Sequence, residues 1–336
     1  MANFDYKQLC TDAKATVAGF GRTAIKLIAI HAGVTIGANL ILSILNYSLD
    51  MGIAQTGGLS DIATVTLLET IQQFMQTIVT IALPFWEMGY VFTALQMARK
   101  QSADSVQLLT GFRYFGAILR VNLLRFVIYF ALVMVGAQIA SYVFMLTPAA
   151  SQMMLVWEEM LATLESGEML NYAALLENEA YMQAMMPAIP YMLVGALLPL
   201  IPALYRMRMM DFALMDEPRR GALYAFGKSL RMTRKRCLTI FKLDLHFWWY
   251  YLLQLLAVAL CYGDVLLPML GIQLDMNGDV AMFLFYAIAM VAELGLYIWK
   301  KNQVTVSYAM LYDAFAEPVV SPPKPAPTHV PWNYET

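Results

Sequence analysis

An all-α, polytopic membrane protein with six transmembrane helices is the fold class this sequence predicts, on three observations. All 22 Lys and Arg residues fall in four patches, Lys7–Lys26, Arg99–Arg125, Arg206–Lys242 and Lys300–Lys324. The stretches between them, 27–98, 126–205 and 243–299, carry no basic residue; each has room for two apolar helices of about 20 residues, the length a bilayer requires. The chain is 60% hydrophobic and 14% charged, with a mean hydropathy of +0.57, against roughly 25% charged in soluble domains. Because Lys and Arg are retained on the cytoplasmic face, the pattern reads as three outward hairpins with both termini inside.

The polar stretch 1–24 reads as a short helix on the inner face, with Lys7, Lys14, Arg22 and Lys26 at headgroup level. Spans one and two are expected at 25–47 and 66–98, joined by a Gly-rich turn over Asp50–Asp61 that holds acid but no base. The second exceeds what a bilayer needs, so it should tilt or protrude. The connection 102–116 reads as a weakly amphipathic helix capped by Ser102, with Leu108, Phe112 and Phe115 apolar. Spans three and four follow at 119–147 and 187–210. Between them, 148–186 reads as an extracytoplasmic helical hairpin cap: Met154, Trp157, Leu161 and Leu164 share a face, Ser166–Gly167 breaks it, and Glu158, Glu159, Glu165, Glu168, Glu177 and Glu179 face no base. Spans five and six are expected at 237–262 and 280–299, completing one membrane domain over 1–316. The Pro-rich end, 317–336, reads as an extended, flexible inner tail.

The inner connection 217–236 is a basic amphipathic helix by pattern. Leu223, Phe226 and Leu230 recur at helical spacing, Asp216 is placed as N-cap and Pro218 lies in the first turn. Arg219, Arg220, Lys228, Arg231, Arg234, Lys235 and Arg236 are candidate lipid-headgroup contacts, since such helices lie in the headgroup plane and favour anionic lipid. The plainer reading is a simple connection between two spans.

No soluble-enzyme constellation is legible. His31, His246 and His329 are scattered, and Cys10, Cys237 and Cys261 are isolated and not spaced for zinc. Gly19-Phe-Gly21 lacks the Lys-Ser/Thr of a phosphate loop, and Asp275–Asp279 lacks the closing Glu of a calcium loop. No metal, cofactor or nucleic acid is expected. What remains is polar groups within spans: Glu87, Glu293, Asp244 and His246. Glu87 precedes Arg99 by roughly 18 Å at 1.5 Å per residue, and a charge at that depth defaults to functional suspicion. The plain reading of Glu293, seven residues before Lys300, is a group facing headgroup water; for Asp244 and His246, which follow Lys242 closely, it is an interfacial Lys–Asp pair. Pro84, Pro199 and Pro202, with Pro187 and Pro190, mark expected helix kinks, and a broken span is tolerated in lipid only against protein or a wet cavity. Pro84–Tyr90 and Pro199–Tyr205 share a Pro-to-Tyr spacing, with Phe112 and Phe226 following; this is either a parallel duplication or chance likeness.

Tyr205, Asp216-Glu-Pro218, Ser229-Leu-Arg-Met232 and Phe241 through Trp248, with Tyr308 through Asp313, resemble the bacterial integral-membrane family catalogued as domain of unknown function 975. The chain differs from that pattern in lacking Gly within Thr233–Arg236 and a Pro-Tyr opening to the last segment. The resemblance implies a protein of the bacterial cytoplasmic membrane with about six helices, and it transfers no catalytic residue. The function expected is that of a non-enzymatic accessory or scaffold protein binding lipid headgroups and a membrane or cytoplasmic partner. The alternative is a small transporter or permease using Glu87 and span four.

Overall fold

A computed structural model describes residues 5–55, 62–151, 153–155, 158, 186–263 and 278–316. It is all-helical, with no strand among the described residues. Four helices in this set, Arg22–Leu45, Thr66–Ala98, Phe115–Met145 and Ala188–Asp216, are long and apolar enough to cross a membrane; Cys237–His246 with Trp248–Cys261 makes a fifth if counted as one broken span. Most of the expected cap at 148–186 and the whole tail 317–336 lie outside the described residues. The chain divides into two compact units, one made of Met1–Thr110 and His246–Thr336, the other of Gly111–Leu245.

In the first unit, α1 (Tyr6–Phe20) begins where Asp5 Oδ1 accepts from the backbone N–H of Lys7 at 2.9 Å, and it ends at Gly21, whose φ of 49° favours glycine. Helix α2 (Arg22–Gln55) follows at once. It continues through Asp50, so the start of the expected turn at Asp50–Asp61 is helical. Helix α3 (Ile62–Ala98) passes through Pro84 without interruption. Its character changes there: Leu67, Ile71, Phe74, Ile78 and Ile81 are exposed, whereas Phe85, Trp86, Met88, Tyr90, Val91, Ala94, Leu95 and Met97 are buried. A 3₁₀ turn at Ser105–Leu109 packs on α3 at Gly89, where a Cβ would lie 1.8 Å from the Leu108 carbonyl oxygen. Its cap is Asp104, which accepts from Ser105 N at 2.6 Å, not Ser102; an Asp carboxylate one residue before the turn is the stronger acceptor for its free N–H groups.

Helix α4 (Thr110–Arg113) leads into the second unit. There α5 (Phe115–Met145) and α6 (Ala188–Met207) run antiparallel, with Phe144 edge-on to Tyr191 and Ser141 against Met192. Both Pro199 and Pro202, the expected site of a bend or break, sit inside α6, which is assigned as one helix through them. Proline removes one N–H, leaving the carbonyl four residues earlier without its helical donor. For Pro199 that carbonyl is Gly195, and its oxygen lies 2.1 Å from where a Cβ on Gly136 would stand. Two glycines thus let the helix backbones meet where the proline has freed an acceptor. The helix breaks later, at Arg208–Met209, before the buried helix α7 (Met210–Asp216).

Helix α8 (Gly221–Thr233) is preceded by a 3₁₀ turn at Pro218–Arg220 and has no side-chain cap. Asp216 ends α7 instead of capping α8, because Pro218 and its neighbours form their own turn first. The buried face of α8 is Ala222, Ala225, Ser229, Met232 and Thr233, while Leu223 is 75% exposed. Ser229 and Thr233 hydroxyls donate to the Arg206 carbonyl oxygen at 2.8 and 3.1 Å. The expected fifth span is two helices, α9 (Cys237–His246) and α10 (Trp248–Cys261), parted at Phe247.

Back in the first unit, α10 packs on α11 (Gly278–Leu296), so the sixth expected span is helical throughout. A π turn at Tyr297–Lys301 carries the chain straight into α12 (Asn302–Phe315). Helix α12, which hydropathy does not single out, is buried on nearly all sides and forms the centre of the unit with α1 and the end of α3. Arg99 grips Asp313 with two nitrogens, Nη2 to Oδ1 at 2.7 Å and Nε to Oδ2 at 3.1 Å. The two tyrosines of the suggested repeat have unlike surroundings. Tyr90 is fully buried and donates to Asn302 Oδ1, while Tyr205 is half-buried and edge-on to Phe241.

Candidate functional site

Glu87 does not stand alone on α3, as its position in the sequence implied. In the first unit the Lys301 ammonium lies 3.1 Å from its Oε1 and 3.3 Å from its Oε2, and His31 Nε2 lies 3.0 Å from Oε2. Three elements supply these groups: α2, the buried half of α3 and the π turn. A π turn shifts the residues after it around the helix and recurs at functional positions; here it places Lys301 on the face that meets α3. The site is walled by rings. The His31 ring stacks on Tyr90 at 4.3 Å and lies nearly parallel to Trp86 and Tyr297 at about 6 Å. Lys301 Nζ sits 4.3 Å over Tyr297 and 5.7 Å from Tyr90, a cation–π arrangement. Asn302 ties the base of the site by accepting from Tyr90 at 2.6 Å and donating to the Ala24 carbonyl at 2.8 Å.

Accessibility is uneven. The His31 side chain is 0% exposed and that of Lys301 14%, but the Glu87 side chain is 47% exposed. Glu87 is therefore the open edge of a group whose other members are enclosed. The His31–Glu87 approach lacks the alignment of a directed hydrogen bond, and both ring nitrogens are unsatisfied among the described residues. A buried polar atom without a partner costs about 1–3 kcal/mol, so this imidazole is held by its ring contacts. No trio of His, Cys, Asp or Glu suited to a metal occurs among the described residues.

The other candidate polar groups are not drawn into this site. Glu293 is on α11, one and two turns ahead of Tyr297 and Lys301, and makes no ion pair with the described residues. His246 lies edge-on to Tyr6 and Phe247. Asp244 belongs to the second unit and faces Arg208 at 3.8 Å, not its near neighbour Lys242. His31, Lys301, Tyr90 and Asn302 are the residues sequence reading missed. The one signal was His31 itself, an ionisable group inside a basic-free apolar stretch.

In the second unit, Arg219, Arg220, Arg231, Arg234, Lys235 and Arg236 are exposed, as headgroup contacts must be. Lys235 has φ 65°, turning the chain sharply between α8 and α9. Lys228 departs from this set. Its ammonium is 2.9 Å from Glu217 Oε1 and 3.2 Å from Asp216 Oδ2, with its side chain only 15% exposed. Two carboxylates close by hold it inward, so it is not a headgroup contact. Burial would push the Glu217 carboxyl up, but hydrogen bonds from Lys228 and Tyr224 outweigh it and hold the group below its ordinary range. Burial likewise opposes charge on Lys228, and its carboxylate partners more than offset this, so its pKa is raised.

No family model, curated protein or solved structure matches this chain.

The Asp216–Glu217–Lys228 pairing has a pH signature. A depressed carboxyl contributes stability that is full above its unfolded value, about 4.3, and is lost as pH falls through the lower folded value. The raised Lys228 contributes fully below its unfolded value and loses this only at strongly alkaline pH. Limited proteolysis between Asp216 and Thr233 should therefore accelerate as pH drops below about 4, and the Glu217→Gln variant should lack that acid step. An identical acid profile in the variant would remove Glu217 from this role.

Proposed function

We propose that this protein is a non-enzymatic accessory or scaffold protein of the bacterial cytoplasmic membrane, binding anionic lipid and a membrane or cytoplasmic protein partner. In this reading it crosses six times, at about 25–47, 66–98, 119–147, 187–210, 237–262 and 280–299, with an outer cap at 148–186 and both termini inside. One observation carries it. Around α8, exposed Arg219, Arg231, Arg234, Lys235 and Arg236 occur beside exposed Leu223, Leu238 and Phe241. A surface both basic and greasy suits the headgroup boundary of an anionic bilayer, where each nearby cation is worth about 1 kcal/mol. The exposed apolar half of α3 fits lipid for the same reason. The Glu87–Lys301–His31 group then acts as a polar clasp between helices.

A second reading is favoured by the accessible Glu87 carboxylate in front of a buried, unsatisfied imidazole: a proton or cation pathway, with the protein a small transporter. Proteoliposomes decide between the two. Under the scaffold reading, vesicles holding the protein leak protons no faster than empty vesicles, and Glu87→Gln changes nothing. An ion-coupled flux that Glu87→Gln abolishes would replace the scaffold with the transporter.

A further inference from the structure

The second unit has a groove of about 460 Å³ lined by Arg120, Leu123, Leu124 and Val127 of α5 and by Arg220 and Leu223 at the start of α8. Positions 120, 123, 124 and 127 are spaced i, i+3, i+4 and i+7, so they form one stripe along α5, about 10 Å long at 1.5 Å per residue. The stripe is apolar yet open: Leu123 is 60% and Leu223 75% exposed. Two guanidinium groups also line the groove. Arg120 is exposed and has no ion pair with the described residues. Arg220 is fixed through Nε to Glu217 at 2.6 Å and lies 4.6 Å over the Tyr224 ring, yet its side chain remains 61% exposed. Glu217 is already shared with Lys228 and Tyr224, and no carboxylate lines the groove, so Arg120 and Arg220 leave its lining positive.

We propose that this groove is a binding site for one anionic phospholipid, with Arg120 and Arg220 holding the phosphate and Leu123, Leu124, Val127 and Leu223 covering the first part of an acyl chain. The inference rests on the lipid-binding reading above and gives it a place. Guanidinium groups suit a phosphate because their planar donors can pair with two of its oxygens. An apolar stripe that starts at the cations and runs along a membrane-length helix fits an acyl chain attached to that phosphate. Free phosphate lacks the acyl chain, and in zwitterionic phosphatidylcholine the choline cation offsets the phosphate charge beside the two guanidinium groups.

The test is native mass spectrometry of the protein released from nanodiscs holding equal phosphatidylglycerol and phosphatidylcholine. Wild type should retain one phosphatidylglycerol in preference. The R120Q/R220Q variant should lose that retention by roughly tenfold or more, the effect of two cations at a headgroup. Val127→Trp fills the groove from an exposed position with both arginines intact, and should displace the lipid in a protein that still folds. R231Q/R234Q/R236Q should keep the retained lipid while lowering the general enrichment of anionic lipid in the disc. Unchanged retention in both R120Q/R220Q and Val127→Trp overturns the site, as does equal retention of phosphatidylcholine. Displacement by excess inorganic phosphate also overturns it, in favour of a free-phosphate site. If only the triple variant lowers anionic enrichment, lipid binding stands and the groove falls; if no variant changes anything, both fall.

Discussion

Gly136→Ala should lower the thermal midpoint of the purified protein by several degrees, although it adds a single methyl group. The new Cβ would stand 2.1 Å from the Gly195 carbonyl oxygen and 2.9 Å from its carbon. Both atoms are backbone, so no side chain can turn aside and the helices must separate. Overpacking of this kind costs about 1–3 kcal/mol, and small residues are what let helices approach closely where lipid supplies no hydrophobic drive. Gly195→Ala should behave alike, since its Cβ would meet Ala140 at 2.4 Å and the Gly136 oxygen at 2.6 Å. The control is Gly37→Ala. Gly37 lies within α2 with nothing within 4 Å, and there alanine gains about 0.5–1 kcal/mol in helix propensity. Equal melting of the Gly136 and Gly37 variants would contradict the crossing.

Glu87→Gln should destabilise the protein more than Lys301→Met, even though each removes one half of the same ion pair. With Glu87 neutralised, an ammonium only 14% exposed is left without its counter-charge, whereas with Lys301 removed the Glu87 side chain, 47% exposed at the edge of the group, is free to turn out of it. Losing one partner of a fully enclosed pair costs about 3–5 kcal/mol. The open side of Glu87 and the Tyr297 ring under Lys301 reduce this to roughly 2 kcal/mol for Glu87→Gln and about 1 kcal/mol or less for Lys301→Met. The double variant should lose less than the two single losses combined, as residues in contact do not add. Melting curves of the three variants check this. The reverse order, or strict additivity, would mean that the clasp does not hold α3 to the π turn.

Patterns of charge and hydropathy made the helical class legible, because basic residues and long apolar runs are one-dimensional features. They also brought Glu87 forward, since a lone carboxylate in an apolar run stands out. Its partners were not legible. His31 and Lys301 come from helices far apart in sequence, and Lys301 reaches Glu87 only because the helix takes a π turn at Tyr297. Helix α12 was overlooked for a related reason. Asn302, Gln303, Thr305 and Ser307 lower its hydropathy, but their side chains are satisfied by bonds to Ala24, Cys10, Lys301 and Gln303, which permits burial of polar residues. Pro199 and Pro202 point to a bend or break in α6; the helix runs through both, and the freed Gly195 carbonyl faces Gly136 across the α5–α6 crossing. Likewise Lys228 was grouped with its basic neighbours because helical spacing alone does not show that Asp216 and Glu217 fold back beside it.

Two ion pairs are spaced alike on both sides: Glu87 of α3 and Arg99 just past its end meet Lys301 of the π turn and Asp313 of α12 at the matching interval. Helix α12 is thus laid alongside the end of α3 with the same polarity, like a splint tied at two points. A splint drawn from a segment far along the chain sets an order of assembly. The ribosome finishes every residue of the unit spanning Gly111–Leu245 before it reaches Asn302, while α1, α2 and α3 must wait for α12. These three helices are therefore made before the other unit yet closed only after all of it has been synthesised.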